Sequence, residues 1–227
     1  DELIIVNDGS TDGTRQYLDR LSKTNPGIRV FHHEKNLGLS AGRNTAIKRA
    51  RGEIIAFTDD DCGVDSYWLR ELTAPFINPE VVAAYGQVFY RTQNYKGYFP
   101  ERLVSNVGPA WPMGANIAYR RSEFRKIGLF DSKFFRYNNE DSEMAFRLAK
   151  IGTLVRTPSA IVYHRKMDWT CESLLRSARN ASVWPVLYAR YGATIFRQEF
   201  KPPICFRRII NALDYLYFFL LPILLPA

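Results

Sequence analysis

A chain of 227 residues with 46% hydrophobic composition can bury a substantial core, which excludes a disordered or fibrous protein. Its net charge of +8 is uneven: residues 1–141 hold 19 Lys and Arg against 18 Asp and Glu, whereas residues 142–227 hold 12 against 5. Cys62, Cys171 and Cys205 are widely spaced and form no CxxC pair, which excludes a disulfide framework and a zinc site and fits a reducing compartment.

In chain order, the first half alternates short apolar runs with helical patterns, the signature of a parallel α/β sheet. Residues 3–6 read as a strand and 11–21 as a helix with Tyr17, Leu18 and Leu21 toward the core. Residues 28–32 form a second strand, 41–50 a helix, 53–58 a third strand and 66–76 another helix. Ligands of such sheets bind beyond the carboxyl ends of the strands, where Asn7-Asp8-Gly9 and Asp59-Asp60-Asp61 fall. Residues 81–90 and 113–120 are expected strands, joined by a long aromatic segment, 92–112, of the kind that serves as a binding loop. Helices are expected over 122–127 and 140–151, the latter with Met144, Leu148 and Ile151 inward, followed by short strands at 153–156 and 160–164. A helix over 170–191 is interrupted by Pro185, and residues 215–227 are uncharged and largely apolar. Thirteen helical residues reach roughly 20 Å, short of the roughly 30 Å hydrocarbon core, so the tail reads as an interfacial anchor or part of a longer span.

Several of these junctions carry chemistry. The turn Asn7-Asp8-Gly9-Ser10-Thr11-Asp12 leads a strand into a helix, a good setting for a nucleotide or anion, or else an Asp-Gly turn with its own N-cap. Gly38-Leu39-Ser40-Ala41-Gly42-Arg43-Asn44 combines small residues with one arginine, which can pair with a phosphate or stand exposed in the first helical turn. Adjacent carboxylates at Asp59, Asp60 and Asp61 repel unless something positive joins them, which points to Mg²⁺ or Mn²⁺; a solvated acidic turn is the alternative. Met113-Gly114-Ala115-Asn116 is a cleft strand or a bulged one. Asn138-Asn139-Glu140-Asp141 opens a helix as a capping arrangement, or places Asp141 as a general base kept ionised by the helix dipole. His164 ends a strand, where it is a structural histidine or a metal ligand. His32 and His33 read as ordinary strand residues.

Taken together, these motifs resemble the inverting nucleotide-sugar glycosyltransferases of family 2, which have the GT-A fold. The resemblance covers roughly residues 2–165 and extends to the Arg121–Phe130 spacer with Phe130-Asp131. It implies a Rossmann-like, mostly parallel sheet flanked by helices, with a C-terminal helical, membrane-proximal extension. The corresponding domains are 1–168, catalytic and lacking the family's opening strand, and 169–227, the extension with its hydrophobic tail. Asp8 would contact the base, Arg43 the nucleotide or diphosphate, and Asp59 or Asp60 the ribose, with Asn116 lining the donor site. Asp61, assisted by His164, would hold Mg²⁺ or Mn²⁺, and Asp141 would deprotonate the acceptor hydroxyl.

The implied partners are a UDP- or dTDP-type sugar, a saccharide or lipid-linked acceptor, and a membrane surface. Because the basic excess runs through Arg197, Lys201, Arg207 and Arg208 into an apolar tail, the cytoplasmic face of an anionic membrane is expected rather than nucleic acid. Cell-envelope or surface polysaccharide or glycolipid synthesis is the expected setting. Glu143 stands where the family often has Asp. Arg179 is followed by Asn180, so the Gln-x-x-Arg-Trp motif of processive synthases is missing, and transfer of one or few sugars is expected. With the opening strand absent, the alternative is a nucleotide-sugar-binding module without turnover.

Overall fold

The computed structural model describes residues 1–90, 106, 112–132, 139–165, 175, 186–187 and 189–192. Strands β1 (Leu3–Asp8) and β2 (Ile28–His33) pair in parallel, from Leu3 opposite Ile28 to Asp8 opposite His33. Helix α1 (Thr14–Thr24) connects them. It starts later than the sequence pattern suggests because Gly13 is left-handed at φ 88° and Asp12 draws the Thr14 amide to its carboxylate at 3.2 Å. Leu18 is buried, but Tyr17 faces solvent instead of the core.

Helix α2 (Leu39–Arg49) buries Ser40, Arg43 and Ile47, one stripe at helical spacing that carries an arginine inward. Strands β3 (Ile54–Phe57) and β4 (Cys62–Val64) follow, then α3 (Trp68–Thr73) with a 3₁₀ turn at Ala74–Ile77. Pro75, which has no amide hydrogen, falls where the regular helix gives way. The remaining elements are β5 (Val81–Tyr90), β6 (Ile117–Arg120), α4 (Phe124–Ile127), α5 (Glu140–Leu148) and β7 (Thr153–His164). The two short strands expected near the end are one strand, with register shifts against β5 where it passes Val81–Ala83 and Tyr85–Gln87.

The fold class is α/β, but the larger sheet is mixed rather than mostly parallel. Its order is β3-β6-β5-β7-β4, and only β5 and β7 run in parallel within it; β3 with β6, β6 with β5 and β7 with β4 are antiparallel. Consecutive strands β3 and β4 lie at opposite ends of this order, yet residues 58–61 alone join them. Four strand spacings of ~4.8 Å would separate the edges of a flat sheet by ~19 Å. A chain that turns tightly between Asp59 O and Cys62 N, 3.2 Å apart, reaches only about 14 Å from Phe57 to Cys62. The sheet therefore curls, and the aspartate triplet lies where its two edges approach each other.

Both faces are covered. Ala83, Tyr85, Ile117 and Tyr119 point into one cluster with Ile47, Phe124, Phe130, Met144 and Leu148. The alternate residues Ala84 and Ala118 pack with Leu72, Phe76 and Ala160 on the other face. Full burial of side chains such as Ile117, Met144 and Leu148 contributes about 1.5–3 kcal/mol each. Ile151, expected inward, lies beyond the end of α5 and is 42% exposed. No helix among the described residues is long and apolar enough to cross a membrane. The expected helix over 170–191 and the tail 215–227 lie outside the described residues, apart from isolated positions in the former, as does nearly all of the segment 92–112.

Candidate active site

The β3–β4 turn places Asp59 and Asp61 beside the end of β7. Cys62 pairs in register with His164, and the Arg165 amide donates to the Asp61 carbonyl at 2.8 Å. Ligand atoms of Asp59, Asp61, Cys62 and His164 consequently lie within 4.8 Å of one another, whereas Asp60 points into solvent. The His164 ring sits with Nδ1 2.8 Å from the Arg165 carbonyl, an atom that can only accept, so Nδ1 carries a proton. Nε2 then faces Asp61 Oδ1 at 3.4 Å. A ring nitrogen lone pair aimed at a carboxylate is repulsive unless the ring takes a second proton or a cation joins the two. A histidine anchored through its other nitrogen to a carbonyl is the arrangement that orients metal ligands.

Two carboxylates and one imidazole nitrogen fit Mg²⁺ or Mn²⁺ by donor type, the imidazole favouring the less hard Mn²⁺. Cys62 is the weakest member of the group. Burial, together with the Asp59 and Asp61 charges, pushes its thiol up to about 12, so in the metal-free protein it is neutral.

Arg43 enters from α2. It is buried, its guanidinium contacts Glu140 directly and lies 3.3 Å from Asp59, and the rings of Phe57 and Phe130 flank it at 5.9 and 5.8 Å. Burial works against its charge, but Glu140, Asp59 and Asp141 hold it protonated more firmly than an ordinary arginine. Instead of offering an open guanidinium to a diphosphate, Arg43 ties the end of β3 to the start of α5. Burial pushes the Glu140 carboxyl above the usual range, and Arg43 opposes that push. Asp59 is raised as well, by burial and by Asp61, again opposed by Arg43.

Asp141 stands in the first turn of α5, after Asn139 at φ 63°. It does not cap its helix from outside. Its Oδ2 accepts the Gly114 amide at 2.8 Å and its Oδ1 accepts the Ser142 amide at 2.7 Å, which brings it to the stretch before β6. Gly114 must be small there, because a Cβ would run into the Arg43 guanidinium.

Two expected donor contacts are engaged within the protein. Asn116 is fully buried: Oδ1 accepts Trp68 Nε1 at 2.8 Å, while Nδ2 donates to the Gln87 and Ala160 carbonyls at 2.8 Å each. With both amide hydrogens donated and its oxygen accepting, it braces β5, β7 and α3 rather than facing a ligand. Asp8 accepts the Leu37 and Gly38 amides at 2.8 and 2.7 Å and meets His33 Nδ1 at 2.7 Å. Burial pushes its carboxyl up, but these hydrogen bonds outweigh it and hold the carboxyl below the ordinary range. Three of roughly four lone-pair sites are thus used.

Sequence reasoning missed the roles of four residues. His33 links Asp8 to Thr45 on α2, with Nε2 2.8 Å from Thr45 Oγ1, and His32 bridges Asn7 and Asp19. Trp68 was equally silent, and Glu140 was legible as part of its helix start but not as the partner of Arg43, because both partners lie far away in the chain.

The sequence profile of Glycosyl transferase family 2 matches residues 1–170. The putative glycosyltransferase EpsH of Bacillus subtilis is 31% identical over 183 residues, covering 73% of this chain and 52% of the relative. A mannosyltransferase of Pyrobaculum calidifontis, solved in complex with GDP-Man and Mn²⁺, superposes with a TM-score of 0.64 at 20% identity, over 95% of this chain and 60% of that one. GalNAc-T7, solved with UDP, GalNAc and Mn²⁺, gives a TM-score of 0.61 at 19% identity, over 95% and 48%. The chain spans about half the length of EpsH and less of other curated relatives, such as 30% of the uncharacterised glycosyltransferase EpsJ of Bacillus subtilis. With its profile match running through both the aspartate turn and the Glu140-Asp141 helix start, and with the GT-A fold shared by its structural neighbours, the chain belongs to glycosyl transferase family 2.

Proposed function

We propose that the protein moves a sugar from a nucleoside-diphosphate sugar to an acceptor hydroxyl with inversion at the anomeric carbon. The observation that carries this reading is the meeting of two groups of opposite use: Asp59, Asp61 and His164 clustered at the β3–β4 turn, and Asp141 near Arg43 beside them. Asp61 and His164, with Asp59, would hold Mg²⁺ or Mn²⁺, which when bound supplies positive charge to a departing diphosphate. The named ligands of the two structural neighbours, GDP-Man with Mn²⁺ and UDP with Mn²⁺, support a nucleotide sugar and a divalent ion.

The chain's own residues do the rest. Asp141, held by the Gly114 and Ser142 amides, is oriented to take the acceptor's proton as general base. No covalent nucleophile is required, and one displacement from the face opposite the diphosphate inverts the centre. Asp8, with one lone-pair site to spare, would accept an N–H of a uracil- or thymine-type base. Asp60, exposed on the turn, would meet the ribose. Arg43, buried and in closest contact with Glu140, would stand behind them without touching the donor. The catalytic part corresponds to 1–168, and the basic extension 169–227 would hold it at the cytoplasmic face of the membrane, in envelope or surface polysaccharide synthesis.

The test is a donor screen on the full-length protein with Mn²⁺ or Mg²⁺, read by nucleoside diphosphate release and by the anomeric configuration of the product. Asp141→Asn is expected to lower kcat by about 10²–10⁴ while the affinity for the nucleoside diphosphate stays within about threefold. Unchanged turnover would remove Asp141 as the base. Retained configuration would remove the single-displacement mechanism, and binding without any turnover would leave a nucleotide-sugar-binding module.

A further inference from the structure

We propose that Glu140 is the counter-ion that leaves Asp59 available to the divalent cation, by taking the closer contact to the Arg43 guanidinium. The inference rests on the reading of Asp59, Asp61 and His164 as the cation site and adds to it a positioning residue that acts through Arg43.

The Arg43 side chain is 8% exposed and cannot shed its charge. It lies between two carboxylates of different surroundings. Glu140, with 3% of its side chain exposed, touches the guanidinium directly and is enclosed by protein. Asp59, with 33% exposed, stands 3.3 Å from the same guanidinium but opens toward Asp61 and His164. The shorter contact goes to the carboxylate that has no part in the cation cluster.

Nor can the guanidinium move elsewhere. Gly114 lies against it on one side, and the rings of Phe57 and Phe130 flank it. A buried guanidinium deprived of its partner is strongly destabilising, so it draws in the nearest remaining carboxylate. If Glu140 were neutral, that carboxylate would be Asp59, because Asp141 is already engaged by the Gly114 and Ser142 amides. Arg43 and the cation would then compete for Asp59.

Mn²⁺ binding to the full-length protein without donor, measured by electron paramagnetic resonance or calorimetry, tests this directly. Glu140→Gln keeps the shape and removes the charge, and it is expected to weaken Mn²⁺ binding about tenfold or more. The double variant Arg43→Met with Glu140→Met removes both charges, and its affinity is expected within about threefold of the natural protein. A Glu140→Gln protein that folds, by near-ultraviolet circular dichroism, and binds Mn²⁺ as tightly as the natural one overturns the proposal. If Glu140→Gln does not fold, the double variant decides: affinity near the natural value supports the counter-ion role, and lost affinity overturns it. The two readings fail separately: natural protein that binds Mn²⁺ without transferring sugar defeats the proposed activity and leaves this inference standing. Natural protein that binds no Mn²⁺ overturns the cation site and this inference with it.

Discussion

At Gly114 a single methyl group has a large expected effect. The residue has the backbone of a short turn before β6, with its amide on Asp141 and the Arg43 guanidinium against its α-carbon. Arg43 is held by two carboxylates and two aromatic rings, so it has nowhere to retreat. Gly114→Ala is therefore expected to destabilise the protein by about 1–3 kcal/mol through overpacking. Gly27→Ala is the control: nothing lies within 4 Å of a Cβ there, and its effect should stay within about 0.5 kcal/mol. Thermal unfolding of the two variants checks this, and equal midpoints would show that the guanidinium is not packed against Gly114. The small residue at 114 is visible in the sequence, but its reason is not. Arg43 and Glu140 stand 97 residues apart, and no local pattern announces which distant charge a buried arginine will meet.

Among the elements, the junction of β1 and α2 depends on one carboxylate. Helix α2 starts at Gly38 without a side-chain cap from its own segment. Asp8, at the end of β1, accepts the amides of Leu37 and Gly38 and so anchors the approach to α2 from another element. Because these hydrogen bonds hold the folded Asp8 below its unfolded value of 3.8, the ionised carboxylate stabilises the fold above that pH. The contribution is lost as pH falls through the still lower folded value. Asp8→Asn should accordingly cost about 1–3 kcal/mol at pH 7, with the gap from the natural protein closing below roughly pH 4. Urea midpoints measured between pH 7 and pH 3 read this out, and a gap that stays constant would mean that charge plays no part. The alternating apolar runs made β1, β2, β3 and their helices legible, since each is local. Strand direction was not: β6 reads from its sequence like any buried strand, and only pairing with β3 and β5 makes it antiparallel to both. Strand β4 is three residues, Cys62–Val64, with no hydrophobic alternation, and it exists because β7 offers it an edge.

For the molecule as a whole, the curled sheet makes the cation site a clasp between distant parts of the chain. Asp59 and Asp61 come from the turn that joins the two edges, and His164 comes from the end of β7; an unfolded chain has no reason to hold them within 4.8 Å. A ligand that binds only the folded state adds RT ln(1 + [L]/Kd), about 2.7 kcal/mol at a hundred times Kd. For a protein of this size that corresponds to a rise in Tm of roughly 5–10 °C. Mn²⁺ should produce this shift in the natural protein, and Asp61→Asn should abolish most of it while leaving the metal-free Tm nearly unchanged, because the Asp61 carboxylate is one-third exposed and faces the like charge of Asp59 and the lone pair of His164 Nε2. Scanning calorimetry with and without Mn²⁺ measures both. A shift of equal size in Asp61→Asn would place the stabilising ion elsewhere. The absence of any shift in the natural protein at millimolar Mn²⁺ would mean that the edges of the sheet close without help from a cation, and would remove Asp59, Asp61 and His164 as a cation site.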